Sequence, residues 1–394
     1  MSPELAGVAS AVAELATAWK ADRRERQGRR HLERPDFDAL RDAGYLQLVV
    51  PERLGGLWRS VPESTRGIAE ILRSLGSADP SVALVASMHP AVIGFWLAPA
   101  DPGRPAWTEQ VEAVCGTARD GCQWGTITSE PGSGGDISRT KSVARPHGAA
   151  GDGSLPGQAY RVSGDKHFGS GSGVTSFMIT TAVAPGDDGP AFFFIDVRDR
   201  PWDGSAGLQL VAEWDGAGMA ATQSHAMRLE DCPAVRMAWE GPIEEITLAA
   251  GPLVTNLFTA VVLGILDEAV ATARAQLQPK AEGLRAYEQV EWARAELDHW
   301  MAVQAYEGSL RAVESGDPMR GLYAGIRAKQ GVAELAESCL ARITRVIGGG
   351  SFARRSPFAS WYEDVRALGF LRPPWGLAYD NLFGSSFLDT ASWA

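Results

Sequence analysis

Residues 126–136 read TITSEPGSGGD: three hydroxyl side chains, a Glu-Pro step, and a Gly/Ser run ending on an aspartate. A run of this kind exposes backbone N–H groups and tolerates positive φ. It therefore reads either as a cradle for an anionic ligand or as a tight turn between strands. The flanking chain has to decide between the two.

On the N-terminal side, residues 1–122 read as helical. Apolar residues recur at helical spacing over 3–28, FDALRDAGYL follows Pro35-Asp36 as a capped start, and Pro62 and Pro80 open IAEILRSL and SVALVASMHPAVIGFW. The character changes at Gln123. From there to about residue 240 short Val-, Thr- and Phe-rich runs alternate with turns, so AYRVSGDKHFGSG, TSFMITTAVA and AFFFIDV read as strands, with GDGSLPG (151–157) and PGDDGP (185–190) as loops. Helical periodicity returns over about 244–278, 285–314, 319–347 and 357–370, and Gly348-Gly349-Gly350 stops the third of these. The expected organisation is a helical unit at 1–122, an all-β unit at 123–240 and a helical bundle at 241–394.

With 394 residues, a net charge of −11 and no long Lys/Arg run, the chain is not built primarily for nucleic acid. Its four cysteines are dispersed without CxxC spacing, which excludes a zinc-ribbon type of metal site and suits a reducing cytoplasm. Residues 246–266 are uncharged and long enough to span a bilayer, but their Gly-Pro step, threonines and Asn256 favour a buried bundle helix.

These elements, in this order, resemble the acyl-CoA dehydrogenase superfamily over nearly the whole chain. TSEPGSGGD is similar to the family's Thr-Glu-Pro-Gly-x-Gly-Ser-Asp loop, with Gly135 in place of serine. YRVSGDKHFGSG (160–171) resembles its Gly-x-Lys strand, EWDGAGMAATQS (213–224) its Gly-Met-x-x-Thr segment, and IGGGSF (347–352) its Gly-Gly turn. The resemblance implies an α+β multidomain fold: an N-terminal helical domain, a middle β-barrel and a C-terminal four-helix bundle. It implies a flavin, FAD with FMN as the alternative, and a homodimer or homotetramer. Thr126, Thr128 and Ser129 are then expected along the flavin's pyrimidine edge, with Phe168 stacking on the isoalloxazine and Ser170 donating toward N5. Gln289, Gly348 and Gly349 are the remaining cofactor-binding positions.

The chain also departs from the family. The glutamate that acts as base in acyl-CoA dehydrogenases falls here near Arg372, in YEDVRALGFLRPPWGLAYD, and an arginine stays protonated at neutral pH. The alternative base position falls at about Val254–Thr255, which carries no acid. Glu363, Asp364 and Asp380 are the nearest carboxylates. His89, on an apolar helix bordering the expected site mouth, is a candidate base, with a satisfied core histidine as the plainer reading. The family's pyrophosphate arginine is replaced by QPKAE (278–282), leaving Lys280. Three functions follow: oxidation of an acyl thioester or similar small substrate, placed first on the dehydrogenase-like loop and working with an electron-transfer partner; a two-component monooxygenase fed reduced flavin by a reductase; and a non-catalytic, flavin-free subunit of a heteromer. His89, Arg372 and Asp364 are the catalytic candidates. No membrane or nucleic-acid partner is expected.

Overall fold

The computed structural model describes residues 2–149 and 155–387. Six helices come first: α1 (Pro3–Ala21), α2 (Arg23–Gly28), α3 (Arg34–Asp42), α4 (Val61–Gly76), α5 (Pro80–Leu97) and α6 (Pro105–Arg119). Their starts are chemically specified. Ser60 accepts from the Glu63 N–H as the N-cap of α4, and its hydroxyl donates to the Glu63 carboxylate at 2.8 Å. Asp79 accepts from the Val82 N–H at 3.0 Å, and Pro80 stands at the first turn of α5, where no N–H is needed. Of the loop expected at 151–157, residues 151–154 lie outside the described part.

Seven strands follow: β1 (Trp124–Thr126), β2 (Val143–Ala149), β3 (Gln158–Gly169), β4 (Phe177–Ala182), β5 (Ala191–Asp196), β6 (Leu208–Ala212) and β7 (His225–Arg236). They form one sheet in the order β1-β4-β5-β7-β3-β2, with β6 added on β7. The β1–β4 pair is parallel and the remaining strand pairs are antiparallel. A further bridge joins β2, at one end of this order, to the residue that follows β4, next to the other end. The Ala144 N–H donates to the Val183 carbonyl and the Val183 N–H to that of Ser142, each at 2.9 Å, so the sheet curls back on itself. Its interior is filled by Ile127, Val162, Met178, Phe193, Ile195, Met227 and Leu229.

The chain ends in helices α7 (Ile243–Leu277), α8 (Ala286–Glu314), α9 (Pro318–Ile347), α10 (Phe358–Arg366) and α11 (Trp375–Ser385). The last expected helix, 357–370, is shorter than expected: α10 ends after nine residues and a 3-10 turn spans Ala367–Gly369, while α11, a helix the sequence reading did not give, starts beyond Pro373-Pro374. The uncharged stretch lies within α7, whose buried face packs on α4, α5 and α9. Glycine is required where α4 and α7 cross. A Cβ at Gly76 would lie 2.2 Å from the Val261 carbonyl oxygen, and one at Gly264 would lie 2.0 Å from that of Arg73. Helices α5 and α7 are long and apolar enough to cross a membrane, and both are mostly buried within the fold.

A buried ion pair fixes the 126–136 segment to the sheet. Lys166 on β3 is fully buried and donates to the Glu130 carboxylate at 2.6 Å and to the Thr181 carbonyl at 2.7 Å. Glu130 also accepts from the hydroxyls of Thr140 and Ser142 and from the N–H groups of Lys141 and Ser142. Burial alone would raise its carboxyl, but the hydrogen bonds from Lys166, Ser142, Thr140 and Lys141 outweigh it and hold the carboxyl down to about 2. Removing one partner strands the other charge in the interior. Glu130→Gln is expected to cost about 3–5 kcal/mol in chemical denaturation, more than replacing both residues by apolar ones of similar size.

Candidate active site

Beyond β1 the chain continues extended through Ile127, Thr128 and Ser129. The His167 N–H donates to the Ser129 carbonyl at 2.8 Å, which lays this segment along the end of β3. Thr126 and Thr128, two residues apart, share a face, with their hydroxyl oxygens 3.5 Å apart. At the same end of β3, Phe168 has φ +58° and its side chain is 58% exposed. A non-glycine residue held there costs on the order of 1–3 kcal/mol. Its ring meets Trp214 and His167 only edge-on, at centroid distances of 6.1 and 6.0 Å. An aromatic ring presented in this way is suited to stack on a flat partner.

Ser170, two residues on, is buried and begins a chain of hydroxyls whose direction can be worked out. The Thr222 hydroxyl donates to the Met219 carbonyl at 2.8 Å, and a carbonyl can only accept. Thr222 has then spent its proton, so Ser224 must donate to Thr222 across 2.8 Å, and Ser170 must donate to Ser224 across 2.8 Å. Toward any ligand, Ser170 can therefore only accept. This reverses the donor role expected for Ser170 from the sequence. The relay is held on the helical part of the chain by the Met219 N–H, which donates to Asp364 on α10 at 2.7 Å. Gly218 lies so close that a Cβ there would be 2.2 Å from the Glu363 carbonyl oxygen.

The structure separates the three catalytic candidates. His89 is fully buried, with Nδ1 accepting from the Trp124 N–H at 3.1 Å and Nε2 3.4 Å from the Leu46 carbonyl. Burial pushes its imidazole down to about 4, against a smaller upward effect of the Leu46 contact. It is a neutral strut between α5 and β1 with no nitrogen left for a substrate, so the plainer of its two readings holds. Asp364 is buried beneath the 214–224 segment; burial pushes its carboxyl up to about 7, partly offset by the Met219 N–H. It positions Met219 and, through it, the hydroxyl relay. Arg372 alone reaches the Thr126–Ser170 face, donating from Nη2 to the Thr128 hydroxyl at 3.1 Å. The other acids lie elsewhere: Glu363 pairs with Arg366 at 2.8 Å, and Asp380 is exposed.

Gln289 is exposed and its amide closes onto the Leu284 carbonyl at 2.8 Å. Gly348 ends α9 at φ +79°, and Gly349 lies in the exposed turn after it. None of their hydrogen bonds reaches the Thr126–Ser170 face. Lys280 is exposed between α7 and α8. Four residues that matter here escaped the sequence reading: Lys166, Thr222, Ser224 and Lys329. Lys166 lies in the Gly-x-Lys pattern of β3, a strand that also carries Arg161 and Asp165, so its burial has no local signal, and the 222/224 pair was detectable as hydroxyls two apart entering β7. Lys329, fully buried on α9 with Nζ 2.9 Å from the Pro373 carbonyl, looks in sequence like any helix-surface lysine.

No protein-family model matches the chain. Among curated proteins it is similar to amino sugar nitrososynthase DnmZ of Streptomyces peucetius, 25% identical, covering 86% of this chain and 82% of that protein. It is 28% identical to dibenzothiophene monooxygenase of Mycolicibacterium goodii, covering 68% of this chain and 62% of that protein. It is 25% identical to the putative acyl-CoA dehydrogenase YdbM of Bacillus subtilis, covering 89% and 88%. The FMN-bound structure of TdsC from Paenibacillus sp. A11-2 superposes with a TM-score of 0.78 over 97% of both chains at 21% identity, which shows a shared fold. Over most of its length the chain is thus similar to flavin monooxygenases and nitrososynthases with the acyl-CoA dehydrogenase-like fold. It is accordingly a flavin-dependent oxidoreductase.

The face described above fits a flavin. An exposed aromatic ring at positive φ, an acceptor-only hydroxyl beside it and two threonines on the adjoining strand suit the flat ring and polar edge of an isoalloxazine. The support for the relay is itself testable. An ordinary carboxyl has a value near 3.8 and Asp364 is raised to about 7, so the folded chain binds the extra proton between the two. Stability is thus expected to fall as pH rises from about 4 to 7 and then level off. Asp364→Asn keeps an acceptor for Met219 and removes the charge, so urea denaturation at pH 8 should show it more stable than wild type by about 1–3 kcal/mol.

Proposed function

We propose that the chain is a flavin-dependent monooxygenase that takes reduced FMN from a separate reductase and oxygenates a small organic molecule. The observation that carries this reading is the direction of the Ser170–Ser224–Thr222 relay. A hydroxyl that can only accept matches the N5–H of reduced flavin; oxidised flavin has no hydrogen there and wants a donor. Reduced flavin supplies two electrons, and molecular oxygen gives one atom to the substrate while the other leaves as water. On this reading Phe168 stacks on the ring, Thr126, Thr128 and Ser129 line its pyrimidine edge, and the curled sheet is the superfamily's barrel. The segments 1–122, 123–240 and 241–394 are read as its three domains.

Two further observations support this order of preference over thioester oxidation. Arg372 stands where a dehydrogenase needs its α-proton base, and no carboxylate among the positions considered hydrogen-bonds into the site. Lys280 is the one cation in the QPKAE segment that replaces the family's pyrophosphate arginine, which favours FMN over FAD. We read Gln289, Gly348 and Gly349 as flavin contacts completed by a second copy in a homo-oligomer.

Anaerobic titration with FMN tests the proposal. Wild type should bind reduced FMN at least several-fold more tightly than oxidised FMN, and oxygen consumption should require reduced flavin supplied from outside. Ser170→Ala is expected to weaken reduced FMN by about 5- to 10-fold, the worth of one hydrogen bond. Ser224→Ala frees the Ser170 proton to point outward, so the oxidised form should gain affinity in that variant. Protein purified with tight FAD that bleaches on adding an acyl-CoA would overturn the reading.

A further inference from the structure

A fully buried lysine and a half-buried arginine meet at the C-terminal tail without a carboxylate. Lys329 is fully buried and its ammonium bonds only to the Pro373 carbonyl, at 2.9 Å. Arg372, the preceding residue, makes one side-chain hydrogen bond, to the uncharged Thr128 hydroxyl. Among the described residues neither forms an ion pair, although the same interior pairs Lys166 with Glu130 at 2.6 Å. Lys166 and Arg372 also repel one another, and the acid that acts on Arg372, Asp136, is too far away to form an ion pair and is occupied by Ser138. A net charge of −11 makes the concentration of positive charge at this one place more pointed.

Burying a charge without a partner is expensive, and an arginine cannot escape by losing its proton. Burial pushes the Lys329 amine down to about 7, so it gives up its proton readily, and the half-buried Arg372 is the standing charge that an anionic ligand would meet. The guanidinium is a planar fork matched to a two-oxygen anion, and it bonds to Thr128, on the segment that runs on to Ser129 and its bridge to His167 at the end of β3. Pro374 presses against the loop on the other side, 2.7 Å from where a Gly135 Cβ would be, so the arginine is held against the site by packing as well as by the Lys329 contact.

We propose that Arg372 is the substrate-anchoring residue of this enzyme and that the substrate carries an acid group, a carboxylate or sulfur oxyacid, which Arg372 receives. Lys329 is a positioning residue that braces the Arg372-Pro373 segment. The inference deepens the proposed monooxygenase and rests on it for the identity of the site. The anionic form of reduced flavin is the other negative charge that could meet this arginine, and the experiment separates the two.

Flavin-free protein is titrated by calorimetry with acetate, methanesulfinate, benzenesulfinate and inorganic phosphate, with methyl phenyl sulfone as a neutral counterpart; reduced and oxidised FMN are titrated separately. At least one acid should bind wild type on the order of 10- to 100-fold more tightly than Arg372→Gln, the range of a charge-assisted hydrogen bond, with Arg372→Lys intermediate. Lys329→Met, which leaves the guanidinium in place, should weaken the same acid by a smaller factor. The thermal melting of each variant establishes that it is folded. The inference is overturned if no acid distinguishes wild type from Arg372→Gln, if the sulfone binds as tightly as the acid, or if Arg372→Gln weakens reduced FMN alone. An acid that binds through Arg372 in a protein that takes no flavin would uphold the anchor and defeat the monooxygenase reading.

Discussion

The site depends on one buried carboxylate. Glu130 sits just after the strand that carries Thr126, Thr128 and Ser129, and it gathers Lys166 from β3 together with Thr140, Lys141 and Ser142 from the approach to β2. Three chain segments, of which β3 and β2 are also joined by an antiparallel ladder, are thereby pinned at one point. Without a charge at 130 the Gly/Ser run would have no fixed origin, and Phe168, two residues beyond Lys166, would lose the register that turns its ring outward. A low-dielectric pair of this kind contributes less to net stability than its Coulomb energy suggests, because both ions were desolvated to make it. Its contribution is to position.

From that anchor the site is assembled across the boundary between sheet and helices. The relay runs from Ser170 through Ser224 and Thr222 to Met219, whose N–H ends on Asp364 of α10. The tail then returns over the face through Arg372 and Pro374. The helical part therefore supplies two things to a face that the sheet builds: a buried acceptor that bonds to the Met219 N–H, and a cation that bonds to Thr128.

Much of this was legible in the sequence. The order of elements and the 126–136 segment are legible from residue types and spacing, because glycine runs and strand alternation are local properties, whereas Phe168 and Arg372 are singled out only through the family resemblance. What stayed hidden was relational. Whether Ser170 gives or takes a proton is decided by a carbonyl at Met219, forty-nine residues away, and no property of KHFGSGSG encodes it. His89 resembles a titrating base in sequence because its neighbours are apolar, yet those same neighbours bury it and leave it neutral. Lys329 and Asp364 likewise have ordinary helical surroundings in sequence and uncommon ones in space. The strand His225–Arg236 was missed because its polar and apolar residues alternate imperfectly around Pro233.

Gly135 is the position where the family's loop prefers serine, and the packing gives that difference a partner. Its backbone lies at φ +81°, and any side chain would meet Pro374. A serine there would lift the tail and carry Arg372 off Thr128, whereas a tail without Pro374 would leave the glycine unneeded. The loop and the tail are therefore one packing unit, although Gly135 and Pro373 lie 238 positions apart along the chain.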